Sequence, residues 1–344
     1  MKRLLIVISF YFPIIVFSHG DVNKVKYIEN KGQWSNNILF KANIPEGIVY
    51  LEKNLFTYSF YDSEKLSNNL FQVTSQVTQE GSYKNRYDVT ILIERFKIAF
   101  SKINPHLHID SCNHALQKLQ QTHFPNLLEE NRRLHQLIVN GIDVDIKRED
   151  GTIGTDKAKL IDFENPSNNE FIAINQFTVI ENGHNRRPDV VLFVNGLPVV
   201  VIELKNPADE NATIEDAYNQ LQTYKDEISS LFRTNGLLVT SDGLSARVGS
   251  LTANSERFMA WRSVDGENII SKGVPELETL INGLFNKTNL LSMLQSFVVF
   301  ENTGSELIKK IAGYHQFFAV KKAVDCTIKA TNENLKGYGY LIDS

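Results

Sequence analysis

Two patterns of apolar residues run through the chain. Val190-Val-Leu-Phe-Val194 and Leu197-Pro-Val-Val-Val-Ile-Glu-Leu204 flank Asn195-Gly196 and read as two strongly apolar strands joined by a tight turn. Leu160-Ile-Asp-Phe163, Phe171–Ile180, Gly236–Ser241 and Arg247–Ser250 supply further strand segments, with a turn at Asp242-Gly243. The second pattern is helical. Thr213-Ile-Glu-Asp216 is a capping-box-like start, and Ala217, Leu221, Tyr224 and Ile228 follow at helical spacing. Residues 118–137 are helix-rich, with Glu129–Ile138 amphipathic, and 277–285, 290–299 and 307–331 carry apolar periodicity. Strands bracketed by helices predict an α/β fold: a mixed β-sheet flanked by helices. A small β-rich N-terminal segment, including Ile48–Leu51 and Tyr58–Tyr61, precedes it, and a helical C-terminal segment follows.

The hairpin carries charge at its open end. Asp189 opens the first strand; Glu203 and Lys205 close the second, two residues apart and therefore on one face. Charges at the rim of so apolar a hairpin are costly unless they pair or hold an ion. Carboxylate oxygens suit magnesium, which needs only one or two of them plus water. A salt-bridged strand edge is the plain alternative. Shared ligation imposes a condition on the backbone. A strict two-residue loop pairs Asp189 with Ile202 and turns it away from Glu203. A three-residue loop or a bulge pairs Asp189 with Glu203, so one of these is expected.

Gln220 and Tyr224 are four apart on one helix face, where they can reach a nucleic-acid backbone, or where the tyrosine packs on the sheet beside an exposed glutamine. Arg186, Arg187, Lys205 and Lys225 form either a local positive surface for phosphates or a solvated charged rim.

Pro188-Asp189, the strand, and Glu203-Leu-Lys205 resemble the active-site signature of the PD-(D/E)xK nucleases. With R-P-D-V-V-L-F-V-N-G-L-P-V-V-V-I-E-L-K-N-P-A-D-E-N-A-T and A-Y-N-Q-L-Q-T-Y-K, the stretch resembles the R (restriction) subunit of type I restriction-modification enzymes, whose Q-x-x-x-Y element falls on Gln220 and Tyr224. The resemblance implies a restriction-endonuclease-like core and magnesium-dependent hydrolysis of DNA phosphodiesters, a type I site-specific deoxyribonuclease activity. Asp189, Glu203 and the Leu204 carbonyl would ligand the metal, and Lys205 would position water or stabilise the transition state. Gln220 and Tyr224 would support engagement of DNA. The superfamily also places an acid on a preceding helix, for which Glu130 is the candidate; an exposed helix glutamate is its bland reading. The implied partners are double-stranded DNA and the methyltransferase and specificity subunits, with no membrane partner, in the cytoplasm.

Gly313-Tyr-His-Gln-Phe-Phe-Ala-Val-Lys-Lys-Ala-Val324 resembles the segment before the ATPase motor of the same subunit, where Gln316 would contact adenine. No G-x-x-x-x-G-K-[ST] phosphate loop follows, so ATP is expected only of the full-length family and the chain is expected to be truncated before the motor.

The remaining sequence complicates this picture. Lys2-Arg3, the apolar run Leu4–Phe17 and small residues at Ser18–Gly20 look like an export signal, which conflicts with a cytoplasmic nuclease. Residues 1–62 resemble the start of an unrelated secreted bacterial protein, through Glu29-Asn-Lys-Gly-Gln-Trp34. Phe71–Val77 and Asn85–Leu92 resemble the hairpin entry of a second type of R subunit, with Asp88 as its first acid, but no Glu-x-Lys strand follows. The organisation expected is a signal-like segment at 1–20, a secreted-protein-like β segment at 21–67 and a fragment of a second R-subunit type at 68–97. A nuclease domain at 98–265 and a helical linker at 266–344 complete it. An inactive remnant or an exported binding module is the rival reading. Net charge of -4 means that any contact with DNA must come from a local basic surface. Cys112 and Cys326 match no metal spacing and read as idle thiols. His184 reads as a turn or packing residue.

Overall fold

The computed structural model describes residues 5–8, 27–29, 31, 38–44, 47–52, 55–60, 72–75, 90–147, 152–205, 213–242, 245–270, 276–304 and 306–331. Asp88, and all of the export-signal-like segment except 5–8, lie outside them. Near the N-terminus, β1 (Leu5–Ile8), β2 (Tyr27–Glu29), β3 (Ile38–Ile44), β4 (Gly47–Glu52) and β5 (Leu55–Phe60) form an antiparallel sheet in the order β1-β5-β4-β3-β2.

The central sheet is built from β6 (Gln72–Ser75), β9 (Phe171–Asn175), β12 (Val190–Val194), β13 (Leu197–Leu204), β14 (Leu237–Ser241) and β15 (Ala246–Gly249), in the order β15-β14-β13-β12-β9-β6. Two smaller hairpins stand beside it, β7 (Ile142–Lys147) with β8 (Ile153–Ala158) and β10 (Val179–Glu181) with β11 (His184–Arg186). β13 and β14 run parallel, as do β6 and β9, and the other neighbours are antiparallel, so the sheet is mixed as expected. Parallel neighbours need a crossover, and α4 (Ile214–Glu227) supplies it between β13 and β14. Thr213 caps this helix, with both bonds of a capping box to Asp216 in place.

Alternation along the strands sends side chains to two cores. Val191, Phe193, Val201 and Leu238 face α4, meeting Leu221, Tyr224 and Ile228. Leu192, Val200, Ile202 and Val239 face the other way, into a core shared with the earlier helices α1 (Ile93–Ile103), α2 (Ile109–Gln120) and α3 (Leu127–Asn140). That core also takes residues of α5 (Glu276–Gly283), α6 (Lys287–Ser296) and α7 (Tyr314–Thr331). Both faces of the sheet are therefore covered, and the unbroken apolar runs of β12 and β13 follow from that.

Three expectations from the pattern are corrected. Leu160–Phe163 is not a strand: the Asp162 carboxylate accepts from the Glu164 and Asn165 amides and from Asn168, folding the chain into a turn. Phe171–Ile180 is two strands, interrupted at Gln176, whose φ is +55°. The periodicity of 290–299 and 307–331 is only partly helical. The chain forms a hairpin, β16 (Val298–Asn302) with β17 (Leu307–Ile311), before α7 begins at Tyr314. Gly304, at φ +90°, lies in the turn between its strands.

Candidate active site

The turn and the register of the β12–β13 hairpin determine where its acids lie. Asn195 and Gly196 have φ of +50° and +77°, the left-handed pair of a two-residue primed turn. Gly196 is required twice over, because a Cβ there would come 2.6 Å from the Leu92 carbonyl oxygen. Asn195 spans the loops around it, donating to the Leu160 carbonyl and to Asn169 Oδ1 and accepting from the Glu170 amide.

Pairing begins as that turn dictates, with Val194 opposite Leu197 and Phe193 opposite Pro198, but Leu192 then faces Val200. Val199 is the extra residue of a bulge. Pro198, which has no amide to give a ladder, sits at this irregularity, while on the other side of β13 the Val199 carbonyl accepts from the Gly236 amide at 2.7 Å, next to the Val200–Leu237 pair. Beyond the bulge Val190 faces Ile202, so the next positions outward are Asp189 and Glu203. The turn is tight and the bulge supplies the shift that shared ligation requires.

Asp189 is held by two neutral donors: the Leu204 amide reaches Oδ2 at 2.8 Å and the Gln176 side-chain amide reaches Oδ1 at 2.9 Å. Glu203 is buried. Its Oε1 faces Lys205 Nζ at 3.4 Å, while its Oε2 is enclosed with no hydrogen-bond partner. Burial, and then the charge of Asp189, push the Glu203 carboxyl up to about 8. Burial also raises Asp189, against the opposing pull of the Leu204 amide, Lys205 and Gln176. Tyr224, on the α4 face, is raised by burial and by the nearby Glu203 charge, and its hydroxyl accepts from Gln220 Nε2 at 3.0 Å. The structure therefore brings Asp189, Glu203, Leu204, Lys205, Gln220 and Tyr224 together, Gln220 through Tyr224.

An enclosed carboxylate oxygen without a donor is what a cation site looks like when only protein atoms are counted. Two carboxylates suit magnesium, which keeps several waters, and among the described residues no group of three or more His, Cys, Asp and Glu is placed to hold a metal. Asp189, Glu203 and the Leu204 backbone fit such an ion.

Glu130 is not brought to this pair. It is buried in α3, where Arg133, Arg233 and the His123 and Phe124 amides occupy both of its oxygens. Burial works to raise it, but those bonds prevail and hold its carboxyl at about 2. Arg233 precedes the start of β14 at Leu237, whereas Glu203 pairs with Thr240 further along that strand, so Glu130 braces the other end of the sheet. The exposed helix glutamate weighed as its bland reading is also absent. Gln316 accepts from the Gly313 amide at 3.0 Å, bracing the first turn of α7.

Of the four cations considered for phosphate, Arg186 pairs with Glu227, Lys225 donates to the Leu251 carbonyl at 3.0 Å, and Lys205 faces Glu203. Arg187 is exposed, and its charge acts on Asp189. His184 faces Glu227 at 3.3 Å. Cys112 is buried and Cys326 partly so, both free. Gln176 is a site residue that sequence reasoning missed, because Phe171–Ile180 reads as one strand and nothing in it marks the interruption at Gln176.

A mixed sheet between helices, with the acids at the open end of its central hairpin, is an α/β fold of the expected class. Residues 91–257 match the family described as the N terminus of the type I restriction enzyme R protein, and residues 27–127 match a domain of unknown function. The chain is 40% identical over 247 residues to the type I restriction enzyme HindI endonuclease subunit of Haemophilus influenzae, covering 71% of this chain and 23% of that protein. A Methanocaldococcus jannaschii relative, named for the type I restriction enzyme MjaIXP endonuclease subunit, is 35% identical over 275 residues, 74% of this chain and 26% of its own length. The EcoprrI endonuclease subunit of Escherichia coli is 30% identical over 193 residues, 54% of this chain and 57% of its own length. Residues 91–257 thus belong to the R-protein N-terminal family of type I restriction enzymes. The chain spans about a quarter of the length of the first two relatives.

Proposed function

We propose that the Asp189–Glu203–Lys205 edge is a magnesium-dependent nuclease centre that hydrolyses DNA phosphodiester bonds within a type I restriction system. The observation that carries this reading is the Val199 bulge, which sets the partly buried Asp189 beside the buried Glu203 and leaves Glu203 Oε2 without a donor. Asp189, Glu203 and the Leu204 carbonyl hold the ion, which when bound polarises the phosphate and lowers the pKa of water. Lys205 orients the attacking water or offsets charge developing on the phosphorus oxygens. Arg187 meets a neighbouring phosphate. Tyr224, buried against the sheet and bonded by Gln220, lines the α4 side of the site beside Glu203, and the partly exposed Gln220 faces the DNA backbone. Double-stranded DNA is the substrate, and methyltransferase and specificity subunits supply recognition of the target.

Calorimetric titration of manganese or magnesium into the chain, beside Asp189→Ala and Glu203→Ala, tests this directly. Binding that both substitutions abolish supports the centre and justifies plasmid-cleavage assays with partner subunits added. A folded parent that takes up no divalent ion overturns it.

A further inference from the structure

Among the described residues, three non-glycine residues have left-handed backbones: Gln176 (φ +55°), Asn182 (φ +50°) and Asn195 (φ +50°). Asparagine tolerates that region because its short side chain bonds locally. Glutamine has no such advantage, so Gln176 keeps a conformation that local preference disfavours. What the conformation achieves is visible at Asp189. The Gln176 backbone amide donates to the Asp189 carbonyl at 2.8 Å, continuing the ladder one step beyond the Asn175–Val190 pair. Its side-chain amide turns back to Asp189 Oδ1 at 2.9 Å. An ionised carboxylate only accepts, so the amide nitrogen must be the group facing it.

The two acids are treated differently. Lys205, the nearest cation, faces Glu203. Asp189 receives one neutral donor on each oxygen, from Gln176 and from Leu204. Neutral donors fix the direction of a carboxylate without cancelling its charge, and each oxygen keeps a lone pair for a further partner.

We infer that Gln176 is a positioning residue of the divalent-ion site: its side-chain amide, delivered by a strained backbone at the end of β9, holds Asp189 in the orientation in which it shares a cation with Glu203. The inference rests on the reading of the site as a metal-dependent centre and adds a residue to it that lies outside the hairpin.

The experiment is calorimetric titration of manganese into the full chain and into Gln176→Gly, Gln176→Leu and Gln176→Asn, with thermal unfolding of each in the absence of metal. Gln176→Gly relieves the backbone, so it should unfold at or above the parent temperature while binding manganese about tenfold more weakly, about 1.4 kcal/mol. Gln176→Leu should weaken binding equally. Gln176→Asn, which keeps an amide and tolerates the backbone, should bind with an affinity between that of the parent and that of these two variants. Parent-like affinity in the glycine and leucine variants would overturn the inference alone. So would a glycine variant that loses stability in parallel with affinity, since Gln176 would then be structural. A folded parent that binds no manganese would overturn the metal reading of the site, and this inference with it.

Discussion

The Leu204 amide donates to Asp189 Oδ2 at 2.8 Å, so the strand that carries Glu203 also orients the other acid. The bond depends on Val199, the extra residue that shifts the register of β13 against β12. Side chains alternate with period two, so a slip of one residue exchanges the faces of the strand. Asp189 lies on the same face as Val191 and Phe193, and Glu203 on the same face as Val201; the bulge reconciles these sets across a tight turn.

Glu203 should destabilise the metal-free protein at neutral pH. Its folded pKa, about 8, is above its unfolded value. The stability it contributes is complete below the unfolded value and is lost as pH rises through about 8. Glu203→Gln keeps the shape and removes the charge. Urea denaturation of the metal-free variant should show it more stable than the parent near pH 8 by an amount on the order of a few kcal/mol, with the difference gone near pH 4. An equal gap at both pH values would show that the Glu203 charge has no special cost.

The same shift predicts how affinity for a divalent ion responds to pH. A cation binds ionised Glu203, so uptake must release a proton wherever that carboxyl is protonated. Affinity for manganese should rise about tenfold per pH unit up to about 8 and then level off. Titrations in buffers of different ionisation enthalpy would count the protons released; release of none near neutrality contradicts a protonated Glu203.

The order of apolar and charged residues was enough to place the hairpin, the capped helix and the acid pair, because each is a local signal. The need for a bulge was also legible, since it follows from counting alternation between Asp189 and Glu203. Gln176 was not legible, because its role depends on β9 lying beside β12, a pairing that local sequence does not specify. Glu130 was misplaced for a similar reason: an amphipathic helix shows which face is buried, but not which end of the sheet it meets. The β16–β17 hairpin was hidden by apolar spacing that a short strand pair and a helix can share.

Glu130 should matter for folding and not for ion binding. Its carboxylate, held at about 2, meets Arg133, Arg233 and two backbone amides out of water. Because the folded pKa is depressed, the stability it provides is present above the unfolded value and lost as pH falls through about 2. Glu130→Ala leaves the two arginines without their acid and should cost about 3–5 kcal/mol. Denaturation would measure that loss, and manganese titration of the folded variant should give the parent affinity. Loss of ion binding by a folded Glu130→Ala protein would return the residue to the catalytic set.

Lys309 should make the protein more stable as pH rises. It is fully buried where β17 meets α3 and the approach to β14, donating to Asn131 Oδ1 at 2.9 Å and to the Asn235 carbonyl, with its ammonium over the Phe300 ring. Among the described residues no carboxylate pairs with it, and burial brings it down to about 7. A neutral amine keeps two donors for those two acceptors, so deprotonation removes the cost of the charge without abandoning either bond. The unfolded chain holds its proton up to about pH 10, so stability should rise with pH from about 7 to about 10. Lys309→Met removes the titration but leaves two buried acceptors without their donor, at about 1–3 kcal/mol. Measured above about pH 8, where the Glu203 effect has ended, the parent should gain stability relative to Lys309→Met as pH climbs. A difference that stays flat across that range would mean Lys309 remains protonated in its buried site.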